Sequence, residues 1–101
     1  MLWAISRRVA VDDFASKREE GLQAHVDYLR SNKNIIVVSG GTTTDDGTAT
    51  TGSILIVSVG SRAEAEAFVA GDPFQQAGYF TDVAITRMRK GQWNPETGDR
   101  A

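Results

Sequence analysis

The order in which hydrophobic periodicity changes along this chain limits its fold more than any other feature. LWAISRRVAV, residues 2–11, is rich in strand formers and predicts a first strand, which Asp12 and Asp13 end. In SKREEGLQAHVDYLRSN, residues 16–32, Leu22, His25, Val26 and Leu29 recur at the spacing of one helix face, with Arg18, Gln23, Asp27 and Arg30 opposite. Ser16 and Glu19 stand at capping-box spacing and predict where this helix starts; Asn32 and Asn34 predict its end. IIVVSGG (35–41) and SILIVSVG (53–60) read as second and third strands, joined by TTTDDGTATTG (42–52) as a long hairpin loop. SRAEAEAFVAG (61–71) reads as a second helix with its own capping box, Ser61 to Glu64, and FTDVAITRMRK (80–90) as a fourth strand.

That order, β-α-β-β-α-β, is the ferredoxin-like pattern of the α+β class: a four-stranded antiparallel sheet with two helices on one face. The chain has 101 residues, 41% of them hydrophobic, enough for a single core. Residues 1–93 are taken as one domain and 94–101 as a polar tail that frays. Helices cover only one face of such a sheet. Trp3, Ile36, Val38, Ile56 and Val83 supply apolar residues for two faces, so the open face is predicted to bury itself in a homodimer. Clefts along the edges of that dimer are the expected ligand sites.

Composition removes several classes of function. A net charge of −2 with scattered Lys and Arg gives no basic stripe for nucleic acid. Without cysteine there is neither a disulfide framework nor thiolate chemistry, and one histidine leaves no zinc-ligand pattern, so no metal is expected. MLWAISRRVAVDD lacks the apolar run of a signal peptide, and no run reaches the roughly 18 residues that span a bilayer, so no membrane partner is expected. The default location is the cytoplasm.

Two residues stand out as candidate chemistry. His25, the single histidine, sits on the apolar stripe of its helix. It reads either as a core histidine bonded to a backbone carbonyl or as a general base. Gly21, one turn earlier, costs about 1 kcal/mol in a helix interior, so a neighbouring backbone or a ligand is expected to need the space. Asp72, in DPFQQAG, has a full local explanation as the N-cap of a one-turn helix, with Pro73 at its first position and Gly78 as a left-handed stop. A carboxylate can also accept from an imidazole while it caps, so both roles stand.

Other signals are weaker. SGGTTTDDG, residues 39–47, lacks the Lys of a phosphate loop and the alternating oxygen ligands of a calcium loop. Arg7 and Arg8 point to opposite faces of their strand, so one of them faces the interior or a cleft. Ser39, Ser53 and Ser58 belong to no serine triad.

RRVAVDDFASKREEGLQAHVDYLR, SGGTTTDDGTATTGSILIVSV and AEAEAFVAGDPFQQAGYF, in this order, resemble the YCII-related proteins. The likeness runs from Leu2 to Trp93. Its most specific parts are the helix with His25, Tyr28 and Leu29, the pair Gly52–Ser53, and Asp72–Phe74. It departs at Gly41, where family members often carry Pro, on the edge of the expected cleft. The resemblance implies a ferredoxin-like fold that dimerises into an α/β barrel, with a His–Asp pair, here His25 and Asp72, in a small cleft. It also implies kinship with muconolactone isomerase-like enzymes and, in one branch, with dehydrochlorination of a hydroxylated aromatic.

The resulting expectation is proton transfer on a small polar organic molecule, of isomerisation or elimination type, with His25 as base and Asp72 orienting it. Arg8, Arg18, Ser39 and Ser53 are the candidate substrate contacts, and no cofactor is implied. The alternative is a non-catalytic dimeric domain that binds a small metabolite or a protein. A cofactor-free monooxygenase of the same barrel type is a third reading.

Overall fold

Alternation along β1 (Leu2–Val9) sets the architecture. Trp3, Ile5 and Arg7 are buried, while the residues between them are half-buried or exposed. In the computed structural model, which describes residues 1–101, the chain continues through α1 (Phe14–Ser31), β2 (Ile36–Thr43) and β3 (Thr50–Ser58). It then forms α2 (Arg62–Gly71), α3 (Pro73–Gln76), β4 (Phe80–Met88) and α4 (Pro95–Asp99). The four strands make one antiparallel sheet in the order β2-β3-β1-β4, which is the ferredoxin-like arrangement.

The register aligns the inward residues. Ile5 lies opposite Leu55 on one side and Ile85 on the other, so side chains of one parity share the helix-covered face. Trp3, Ile5, Leu55 and Val57 pack there against Ala65, Phe68 and Val69 of α2. A second cluster, Phe14, Phe74 and Phe80, joins α1, α3 and the start of β4. On the open face, Val38 and Ile54 remain 49% and 48% exposed.

Local signals explain most boundaries. At α2, Ser61 Oγ accepts from the Glu64 N–H at 3.2 Å, and the Glu64 carboxylate accepts from the Gly60 N–H at 2.8 Å. At α3, the Asp72 cap, Pro73 and a left-handed Gly78 (φ 76°) stand as expected. α1 differs. It begins at Phe14, not Ser16, with Asp13 in the left-handed region (φ 57°) and no side-chain cap bond. Burying Phe14 in the aromatic cluster outweighs the exposed capping box. The hairpin also differs: its threonines extend both strands, leaving residues 44–49 as the loop. The tail carries the single turn of α4. No helix is long and apolar enough to cross a membrane.

Candidate active site

The chain buries three polar residues, Arg7, Ser53 and Asp72, and they touch one another. Arg7 comes from the inward parity of β1, Ser53 from the inward parity of β3, and Asp72 from the junction of α2 and α3. The Arg7 Nη1–H donates to Asp72 Oδ2 at 2.8 Å, and its Nε–H donates to Ser53 Oγ at 3.1 Å. The guanidinium also lies 4.2 Å from the centre of the Phe80 ring, which fixes its plane. Two residues of β4, Asp82 and Val83, stand opposite Arg7 in a bulge.

His25 completes the cluster. Its Nδ1 lies 2.7 Å from Asp72 Oδ1, the oxygen that also accepts from the Phe74 N–H at 3.0 Å. The imidazole stacks on the Phe74 ring with centroids 4.0 Å apart and planes 3° from parallel. Asp72, Pro73 and Phe74 therefore grip one histidine twice: the cap residue binds its edge and the residue two positions on covers its face. Gly21 leaves room for that ring, since a Cβ there would come within 3.1 Å of Phe74 Cε1. The neighbour that needs the space is an aromatic side chain, neither a backbone nor a ligand.

Burial pushes the Asp72 carboxyl up, but bonds from His25, Arg7 and the Phe74 amide override it and hold the group below the usual carboxylate range. Burial, followed by the nearby Asp72 charge, raises the Tyr28 phenol. An ionised Asp72 accepts from Nδ1, so a neutral His25 carries its proton there and leaves Nε2 as a free lone pair. Nε2 has no partner in the protein and is not sealed off from solvent. His25, Arg7, Phe74 and Phe80 help to line a cavity of about 770 Å³.

The cavity lies between α1 and the β2–β3 hairpin, on the helix-covered side. It is lined by residues of a single chain. Side-chain size leaves the space. Ser39 lies opposite Leu55, and Gly41 opposite Ser53, so the floor facing α1 is too small to fill the gap. Arg18, at the exposed end of the lining, joins Ser39 and Ser53 on the wall.

Arg8 does not join them. It has the outward parity of β1, its side chain is 77% exposed, and it reaches only Asp82 at 3.5 Å. Arg7 takes the inward place. The sequence leaves open which of Arg7 and Arg8 faces inward, although one signal decides it: Trp3 and Ile5 share the parity of Arg7 and mark it as the inward arginine. Nothing local marked Phe74 as the stacking partner. No group of three or more His, Cys, Asp or Glu is placed to hold a metal ion.

The molecule is thus a ferredoxin-like α+β domain with a histidine, a carboxylate and an arginine joined beside a cavity of mixed polarity. The chain belongs to the YCII-related family, whose domain matches residues 1–89. Among solved structures it is similar to the 5-chloro-2-hydroxyhydroquinone dehydrochlorinase TftG of Burkholderia phenoliruptrix AC1100, determined in complex with 2,5-dihydroxybenzoquinone. The two are 35% identical, with a TM-score of 0.78 over 90% of this chain and 96% of that one. No curated protein sequence matches the chain.

Proposed function

We propose that this protein is a cofactor-independent enzyme for proton transfer on a small polar organic molecule, acting by elimination or isomerisation. One observation carries the reading: His25 Nδ1 is held at 2.7 Å by a buried carboxylate, while the residue lines the cavity and its other nitrogen has no partner in the protein. In this reading Nε2 accepts the substrate proton. Asp72 fixes the tautomer and stabilises the imidazolium that forms. Arg7, Arg18, Ser39 and Ser53 are among the polar groups available to the substrate, with Asp13, Thr48 and Thr50, and Arg8 is not.

The similarity to a dehydrochlorinase supports elimination and a hydroxylated six-membered ring as the first substrate to try. Loss of HCl needs one base for the proton and a leaving chloride, and a single imidazole supplies that base. The protein is further proposed to work as a homodimer joined through the open sheet face, where Val38 and Ile54 are exposed.

The test is chloride release from 5-chloro-2-hydroxyhydroquinone. His25→Ala is expected to lower the rate by about 10²–10⁴, the usual worth of a general base. Turnover that survives His25→Ala unchanged refutes the assigned base. A protein that binds the ring but releases no chloride, and speeds exchange of none of the ligand's carbon-bound protons with deuterated water, is a binding domain instead.

A further inference from the structure

A guanidinium carries five N–H groups. In Arg7, Nε–H is used by Ser53 and one Nη1–H by Asp72. The other three, including both on Nη2, have no acceptor in the protein. Only Gln75 Oε1 is both sealed from solvent and unpartnered among the buried side-chain polar atoms, so Nη2 is not sealed. Arg7 is nevertheless only 4% exposed overall, and it lines the same cavity as His25.

We infer that Arg7, through Nη2, binds an anionic oxygen of the ligand beside His25, so the site takes a flat ring compound bearing a phenolate, enolate or carboxylate. The inference deepens the proposed function by naming the ligand's charge class, and it relies on that reading only for placing the ligand in this cavity.

Three observations support it. The Phe80 ring and Ser53 fix the fork, so its free edge is preorganised and little freedom is lost on binding. The charge balance fits: Asp72 neutralises Arg7 while His25 is neutral, and a proton gained by His25 leaves one positive charge for a ligand anion to balance. Phe14, Leu22, Val26 and Leu55 give the walls an apolar part that suits a ring, beside the polar Asp13, Thr48 and Thr50.

Calorimetric titration with benzoate and benzamide tests the point, because the two share a ring and differ in charge. Wild type is expected to bind benzoate at least about tenfold more tightly, the effect of one charge-assisted hydrogen bond. Arg7→Lys keeps a charge beside Asp72 but loses the fork, and is expected to shrink the preference to within about threefold. His25→Ala is expected to keep it, so a protein that catalyses nothing still passes this test. Equal binding of the two probes by wild type overturns the inference. So does a preference that survives Arg7→Lys and disappears in Arg18→Gln, which would move the contact to the cavity mouth. Should Arg7→Lys not fold, the Nε–H NMR signal of Arg7 in wild type decides: movement with benzoate and not benzamide supports the contact, and no movement overturns it.

Discussion

Replacing Asp72 by Asn changes one heavy atom and separates the roles this residue holds. The carboxylate accepts at both ends: Oδ1 from His25 and the Phe74 N–H, Oδ2 from Arg7. An amide has one acceptor and one donor end, so it can serve only one side. The permanent charge of Arg7 is the stronger claim, because turning an NH₂ toward a buried guanidinium leaves that charge unpaired. The amide oxygen is therefore expected to face Arg7 and the NH₂ to face His25. Two consequences follow. The helix cap is lost, at a cost of about 1 kcal/mol. The bond from Arg7 now ends on a neutral acceptor and loses roughly half its strength, about another 1 kcal/mol. Meanwhile His25 meets a donor at Nδ1, so its proton moves to Nε2, which can no longer accept.

Asp72→Asn should therefore be about 2 kcal/mol less stable by urea denaturation and inactive within a factor of about 10²–10⁴. Its ring nitrogens should have exchanged roles. As the protein has one histidine, long-range ¹H–¹⁵N spectra report that exchange without assignment. An unchanged tautomer in Asp72→Asn, at unchanged stability, would refute the account of Asp72 as the orienting group.

The other expectations are independent of that variant. Since Asp72 is held below its ordinary range in the folded state, it stabilises the protein at pH above the unfolded carboxylate value of about 4. That contribution is lost as pH falls further, so urea midpoints should drop between pH 5 and pH 3, and less steeply in Asp72→Asn. Gly21→Ala adds a methyl 3.1 Å from a ring that Phe14 and Phe80 confine. It should lower thermal stability by about 1–2 kcal/mol despite alanine's better helix propensity, and shift the imidazole NMR signals. Phe74→Ala should cost about 3–5 kcal/mol, because the ring is 2% exposed, and should shift those signals further. Light scattering on Ile54→Lys should give a folded monomer where wild type gives a dimer, since Ile54 is 48% exposed on the open face. A monomeric wild type would overturn the proposed assembly and leave the cavity, which one chain builds, in place.

Element order was legible in the sequence because it rests on periodicity and on turn chemistry, both local. The Asp72 cap, Pro73 and Gly78 could be read residue by residue, and the approach of His25 to Asp72 rested on resemblance alone until the fold put them 2.7 Å apart across 47 positions. The errors have a common cause in tertiary packing. Ser16 and Glu19 form a sound capping pattern, but Phe14 finds Phe74 and Phe80 and draws the helix start two residues earlier. Arg8 was preferred over Arg7 because alternation says only that one faces inward; the parity of Trp3 and Ile5 had to be carried along the strand to decide. The ring that fills the space at Gly21 comes from 53 positions away (74 − 21), beyond the reach of any pattern in one helix.

The small floor under α1 divides the labour of the cavity. The His25–Asp72–Arg7–Ser53 chain is built from α1, the α2–α3 junction, β1 and β3, whereas Gly41, the register partner of Ser53, belongs to β2 and has no side chain at all. A methyl added there would meet Gly52 O at 3.7 Å and Thr50 Cγ2 at 3.8 Å, ordinary contacts that nothing need move to accommodate. In the proposed reading, ligand size can therefore be retuned from the hairpin, one methylene at a time, without replacing any residue of the proton-transfer chain.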